Sequence, residues 1–236
     1  MTEEFSKAYW EDHYGHGHGH DHGHDHGHDH GHGHGHGHGH AVGHRQPANP
    51  HLLAEIGALA PGAALDAGCG EGAEAIWLAT QGWQVTAVDI ADGALRSARE
   101  HARGAGDEVA ARIDWRQADL ADWTPPVDRF DLVCAFYVHP KASRESLAAR
   151  LAAAVAPGGT LLIVGHHPAD PRPGVSPAAV RDVHFTAQDV ADGLDPDRWE
   201  IIVAASRQRP VHGPDGAERT LHDTVLRARR RTDDRA

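Results

Sequence analysis

Two cysteines, Cys69 and Cys134, are all that this chain of 236 residues has, and they fall in a glycine-rich turn and in an apolar run. That is too few for a disulfide framework to organise the fold. Nowhere does an apolar run approach the roughly 20 residues of a membrane span. The first residues also lack the pattern of a secretion signal. The expectation is a soluble, cytoplasmic protein with no membrane partner. Grouped positive charge is scarce as well, for the formal net charge is -12. Nucleic-acid phosphates call for clustered Lys and Arg, so the balance argues against such a partner. The one basic cluster, Arg227 with Arg229 to Arg231, lies beside Asp233 and Asp234 and reads as a solvated tail.

Low-complexity sequence is what the chain has in excess. At every second position from His16 to His40 stands a histidine: His16, His18, His20, His22, His24, His26, His28, His30, His32, His34, His36, His38 and His40. The spacers are Gly, except for Asp21, Asp25 and Asp29. Without apolar residues such a tract has no reason to fold and is expected to be disordered in the absence of a ligand. Extended residues at i and i+2 lie on one side, roughly 7 Å apart. Flexible glycines then let three or four imidazoles gather around Zn²⁺, Ni²⁺ or Cu²⁺, a non-catalytic metal site. Repeat expansion in a tolerant loop is the alternative. Metal binding is expected to weaken below about pH 6.5, where imidazoles protonate. Setting the tract aside leaves about 190 residues, enough for one α/β domain with a real core.

The remainder carries one strong local signal. Ala64-Leu65-Asp66-Ala67-Gly68-Cys69-Gly70-Glu71-Gly72 reads as a buried strand that ends on an acidic residue and then turns tightly through three glycines. Ala73 to Ala79 starts a helix, and a second strand, Trp83 to Ile90, carries Asp89 at its end. Glycine lets the backbone bend sharply and a ligand come close, and the second-strand carboxylate suits a ribose diol. This is a nucleoside-binding βαβ unit. Gly68-x-Gly70-x-x-Ala73 loosely fits a dinucleotide fingerprint, but Asp66 speaks against it, since a carboxylate there repels a pyrophosphate. An acidic strand end suits a ligand whose nearby group is cationic.

These residues resemble the first motif of class I S-adenosylmethionine (SAM)-dependent methyltransferases, and the resemblance runs from about Asn49 to Arg229. It implies SAM as cofactor, with Asp66, Gly68, Cys69, Gly70, Asp89, Ile90, Asp119, Leu120 and Phe136 in contact with it. Asp119, after the apolar run Ala110 to Trp115, takes the place of the acidic group near the adenine amine. Phe130 to His139 looks like the family's fourth strand and Ala156 to Val164 like its fifth, reached through Pro157-Gly158-Gly159. Small bacterial members of the tellurite-resistance and thiopurine type have a Trp-x-x-x-Tyr segment before the first core helix, and Trp10-Glu11-Asp12-His13-Tyr14 is similar to it. The implied organisation is a lid segment at 1–14, the tract at 15–44, a methyltransferase domain at 45–230 and a tail at 231–236. The tract would then fill the loop at the mouth of the cofactor cleft, a departure from the family.

Periodicity supports the same architecture. Phe5 to Tyr14 is a short helical candidate, and Asn49 to Leu59 is amphipathic with Leu52, Leu53, Ile56 and Leu59 on one face. Strand and helix patterns alternate to Val164, with Ala91 to Arg103 and Ser143 to Ala156 as the later helices. Alternation of this kind signals βαβ units and a mainly parallel sheet. A Pro/Gly-rich loop runs to Pro177, and Thr186 to Leu194 reads as a helix capped at Thr186. Trp199 to Ala205 and Thr220 to Arg229 read as strands around the turn Gly213 to Gly216. The expected fold is α/β, a Rossmann-like, doubly wound, seven-stranded sheet with a C-terminal antiparallel pair.

Ligands of such sheets bind at the carboxyl ends of the strands, so Tyr137, His139, His166 and His167 should border the pocket. Tyr137 and His139 are the candidate catalytic residues, His139 as a proton acceptor; plain polar loop residues are the alternative reading. Phe136, Tyr137, Trp10 and Tyr14 are placed to shield a sulfonium, whereas Trp77, Trp115 and Trp123 read as core. The expected activity is methyl transfer to a small-molecule acceptor. The rivals are a metal-buffering protein on a methyltransferase-like scaffold and an NAD-dependent oxidoreductase. Asp66 disfavours the latter, as does the lack of a recognisable hydride-transfer pair.

Overall fold

Alternating side chains along each strand divide the core into two layers, one on each face of the sheet. Leu65, Val88, Val133, Ala135, Leu161 and Ile163 pack in one cluster, and Ala64, Val85, Ala87, Leu132, Cys134 and Leu162 in the other. A strand buried on both faces must be apolar nearly throughout, the mark of a parallel sheet covered by helices. The computed structural model describes residues 6–15, 46–139, 143–169, 184–212 and 218–232.

The strands are β1 (Ala63–Ala67), β2 (Gln84–Asp89), β3 (Ile113–Gln117), β4 (Phe130–Phe136), β5 (Val155–His166), β6 (Trp199–His212) and β7 (Glu218–Arg230). They form one sheet in the order β3-β2-β1-β4-β5-β7-β6. The first five run parallel, and β7 and β6 join antiparallel. The helices are α1 (Lys7–Gly15), α2 (Pro50–Ile56), α3 (Ala73–Thr80), α4 (Asp92–Ala105), α5 (Asp107–Ala110), α6 (Arg144–Ala154) and α7 (Ala187–Ala191). Thr186 caps α7 in a full capping box with Asp189, as its spacing predicts. Ser143 caps α6 by accepting the Ser146 amide.

Several boundaries differ from the sequence reading. The third strand starts at Ile113, because Gly106 (φ 122°) and the acidic pair Asp107 and Glu108 begin the one-turn helix α5. The C-terminal strands extend beyond Ala205 and Thr220 into a long ribbon, since cross-strand pairing holds polar residues that have no apolar alternation to announce them. Gly15 closes α1 and so belongs to the helix, not to the tract. The tract histidines, most of the Pro/Gly-rich loop and the turn 213–216 lie outside the described residues.

The basic cluster is also not a solvated tail, apart from Arg231 just beyond the strand. Arg227, Arg229 and Arg230 belong to β7. Arg229 pairs with Glu200 at 2.6 Å and Arg227 with Glu55 at 3.6 Å. Arg230 is buried, donating to Asp128 and to the Val155 carbonyl. Every one of these partners is distant in sequence, which is why local sequence shows only a run of charge.

Helix α2 is clamped onto the terminal ribbon. His51 and Glu55, one turn apart and both buried, face β6 and β7. His51 Nε2 lies 3.0 Å from Asp223 Oδ2, and Glu55 pairs with Arg207 as well as Arg227. Helix α1 sits on the start of α4, whose first residues have no side-chain cap of their own. Glu11 supplies one instead, accepting the Asp92 and Gly93 amides at 3.0 and 3.3 Å. Among the described residues no helix is long and apolar enough to cross a membrane.

Candidate active site

The sheet order sets the carboxyl ends of β3, β2, β1 and β4 side by side, and a cleft of about 570 Å³ opens over them. That volume lies within the usual range for small-molecule sites. Gly68, Cys69, Gly70, Asp89, Ile90, Asp119, Leu120, Phe136, Tyr137 and His139 all line it, as do Trp10 and Tyr14 from α1. The sequence-predicted residues are therefore brought together, with Asp66 just beneath the floor, 1% exposed. Trp77, Trp115 and Trp123 pack against the core clusters.

The glycine turn depends on backbone that other residues adopt poorly. Gly68 has φ 78° and Gly70 φ 50°. A Cβ on Gly68 would stand 2.6 Å from Val138 Cγ2. On Gly70 it would stand 3.1 Å from the Tyr14 hydroxyl, closing the gap under α1. Asp89 braces the turn: its Oδ2 accepts the Gly70 amide at 2.8 Å and its Oδ1 the Ala91 amide at 2.9 Å. Asp119, two residues beyond β3, accepts the Ala121 amide at 2.8 Å.

Charge at this end is negative and poorly compensated. Burial pushes the Asp66 carboxyl well above the usual range, and Glu74 and Asp89 push it further. Glu74 and Asp89 are themselves raised, chiefly by burial, although backbone amides hold both back. Asp66 Oδ1 receives the Cys134 thiol at 3.8 Å, the Ala75 amide also holds the carboxyl back, and Oδ2 is buried with no side-chain partner. A buried carboxyl oxygen left in this state is open to a donor from a bound group. The Cys69 and Cys134 thiols are pushed up by burial and by Asp66, so neither is a ready nucleophile.

The part of the cleft around Tyr137 is built differently, although Asn49 joins it to Glu74, whose Oε1 accepts the Asn49 amide at 3.0 Å. Tyr137, just past β4, adopts φ 51°, a conformation that for a bulky residue costs of order 1–3 kcal/mol. Its hydroxyl accepts Asn49 Nδ2 and Arg209 Nη2, each at 3.2 Å. Burial pushes the Tyr137 phenol up to about 12, with Asp223 adding to the effect. Tyr137 is thus a phenol at neutral pH and not a base. Trp10 stacks between Tyr14 at 6.2 Å and His139 at 6.1 Å between ring centroids.

His166 and His167 do not line the cleft, contrary to expectation. The parallel bridge to His184 and pairing with Asp223 draw His166 beneath the floor, where its ring stacks on Tyr137 at 4.7 Å and on His139 at 5.5 Å. His167 turns aside and accepts the Ala169 amide through Nδ1 at 3.1 Å. Among the described residues no group of three His, Cys, Asp or Glu is placed to hold a metal.

Sequence reasoning missed Glu74, Asn49, Arg209, Asp223 and His51. Asn49 had a signal, because Asn before Pro marks a helix start, and it does cap α2 through the His51 amide. Arg209 alternates with Arg207 along β6 and was within reach of a longer strand assignment. Asp223 and His51 had none, since they meet across 172 positions.

Comparison with known proteins gives one family. Residues 64–159 match the family model described as a methyltransferase domain. The trans-aconitate 2-methyltransferase of Paracidovorax citrulli is 38% identical over 116 residues, which is 48% of this chain and 42% of that protein. The chain spans less than half the length of the first curated relatives it matches. A protein solved for the conversion of a disulfide bond into a thioacetal group during echinomycin biosynthesis superposes with TM-score 0.60 and 26% identity, covering 82% of this chain and 88% of its own. TehB from Haemophilus influenzae superposes with TM-score 0.61 and 18% identity, covering 77% and 62%.

Proposed function

We propose that this chain, which belongs to the class I SAM-dependent methyltransferases, moves a methyl group from SAM to a small-molecule acceptor. One observation carries the reading: Asp66, buried with an oxygen that has no partner, lies under a cleft further lined by Glu71, Glu74, Asp89 and Asp119. Such a site suits a cationic ligand and repels a dinucleotide pyrophosphate.

S-adenosylmethionine, when bound, supplies an activated methyl on a cationic sulfur. Asp89 would hold the ribose hydroxyls, using the lone pairs that the Gly70 and Ala91 amides leave over. Glu74, with Asp66 beneath it, would meet the ammonium, and Asp119 the adenine amine. Trp10, Tyr14, Phe136 and Tyr137 would cover the sulfonium and keep water from it, a contact worth about 0.5–2 kcal/mol. In-line displacement is mainly a matter of alignment, which supplies roughly 7–11 kcal/mol of such barriers. A soft or anionic nucleophile needs no base. Where the acceptor carries a proton, His139 is the residue to take it, because Tyr137 is held as a phenol. Two buried, separate thiols suit a reducing compartment, and we place the protein in the cytoplasm.

Calorimetry with SAM, S-adenosylhomocysteine and NAD tests the reading. The expected result is micromolar binding of the first two and none of NAD. Tighter binding of NAD than of SAM overturns it.

A further inference from the structure

The polarity of the cleft changes from one end to the other, and one side chain makes the change. Among the described residues that line it, Arg209 is the sole Arg or Lys. It reaches the cleft from β6, far from the glycine turn in sequence, and its side chain is 25% exposed.

A guanidinium has five N–H donors in a rigid plane. Arg209 directs two of them inward: Nε donates to Asp223 Oδ2 at 2.5 Å and Nη2 to the Tyr137 hydroxyl at 3.2 Å. Three N–H groups are left, and two of them, one on Nη1 and one on Nη2, lie along the edge that carries both terminal nitrogens. That edge has the spacing of a carboxylate, which it can grip with two parallel hydrogen bonds.

The supporting groups hold this plane in place. Asp223 is fully buried and is shared with His51 at 3.0 Å, so it anchors Nε from behind. Tyr137 is fixed by its own left-handed backbone and by Asn49 on its hydroxyl. Three elements, β4, β7 and the start of α2, therefore converge on the aim of one cation. A guanidinium needed only for an ion pair would not require this much orientation.

Resting on the methyl-transfer reading, we propose that Arg209 determines specificity by binding the carboxylate of a small, anionic acceptor. Its carboxylate meets Arg209, and its reactive atom points toward the sulfonium. Arg209 stays protonated throughout and takes no proton in the reaction. The carboxylate is the handle and not the methylated group, because two hydrogen bonds to a guanidinium draw charge out of its oxygens.

The test uses the full chain loaded with S-adenosylhomocysteine and two matched probe pairs, phenylacetate with phenylacetamide and fumarate with fumaramide, read by ligand-observed NMR. Each carboxylate is expected to bind about ten-fold tighter than its amide. Arg209→Gln is expected to erase that preference, and Arg209→Lys to keep part of it, as a point charge without the fork. S-adenosylhomocysteine affinity should be little changed in both. Equal binding of acid and amide by the wild type overturns the proposal, as does no carboxylate binding at millimolar concentration. It is also overturned if the preference survives in Arg209→Gln, or if that variant loses S-adenosylhomocysteine about ten-fold, which assigns the guanidinium to the cofactor's own carboxylate. The wild-type comparison stands even where a variant fails to fold. Failure of S-adenosylhomocysteine to bind the wild type strikes the methyl-transfer reading, whereas the acid-against-amide comparison on the unloaded chain still judges Arg209.

Discussion

At one end of the cleft Asp66, Glu74 and Asp89 all stand above the usual carboxylate range, whereas at the other the fully buried Asp223 stands below it. Burial acts on all four in the same direction. The first three are answered mainly by backbone amides and a thiol, and Asp223 by hydrogen bonds from His51 and Arg209 and by the guanidinium charge. Asp223 ends below its ordinary value because it has a guanidinium and an imidazole beside it and carries a smaller burial penalty, whereas the other three have no cation to offset theirs. The acidic end is incomplete without a ligand. At the Arg209 end His51 and Arg209 both meet Asp223 Oδ2, while Asp223 Oδ1 is buried with no hydrogen-bond partner.

The largest expected effect breaks the acidic end alone. Asp89→Ala removes a charged acceptor from the ribose and the brace of the Gly70 amide, and it should weaken S-adenosylhomocysteine by about 1.5–3 kcal/mol in calorimetry. The carboxylate preference assigned to Arg209 should persist. Loss of both together would mean that the two ends are a single unit.

Acidification should separate the ends by sign. Carboxyls raised in the folded state bind protons that a cationic ligand must displace. Affinity for S-adenosylhomocysteine should therefore be highest above those raised values and fall as the pH drops through them, with proton release on binding visible in buffers of different ionisation enthalpy. The same raised groups make the empty chain gain stability as the pH falls through their folded values. Asp223 has a lowered value, so its contribution is present above about 3.8 and is lost only as the pH falls further, through its folded value. Affinity that is flat between neutral and mildly acidic pH would remove the acidic end's claim to an unanswered charge.

Tyr137→Phe probes the other end more gently, removing the oxygen on which Asn49 and Arg209 converge. The acceptor KM should rise by the equivalent of about 0.5–1.5 kcal/mol, with S-adenosylhomocysteine affinity unchanged. A fall in kcat with KM constant would instead place the hydroxyl in the chemical step.

The smallest effect is expected from deleting residues 16–40. A tract without apolar side chains adds nothing to the core, and closure entropy changes by only about 0.6 kcal/mol per doubling of loop length. Cofactor binding and thermal unfolding should stay close to wild type. Loss of S-adenosylhomocysteine binding would tie the tract to the acidic end.

What the sequence by itself determined was carried by neighbours along the chain. The apolar runs of β1, β2, β4 and β5, the turn Gly68–Gly72 and the capping box at Thr186 follow from backbone preference and local burial. Asp66, Asp89 and Asp119 could be placed because a parallel sheet returns each strand end to the same edge. Asp66 could even be assigned a cationic partner from its strand position, although its orphaned oxygen belongs to the folded chain. Tertiary structure alone decided the Arg209 end. His51 and Asp223 meet across 172 positions, and Arg209 reaches Tyr137 across 72. No periodicity records such meetings, because the partners are chosen by how α2 docks on the terminal ribbon. For the same reason Arg227 and Arg230 read as a tail in sequence and are structural in the fold: a charge's role depends on which carboxylate the packing brings to it.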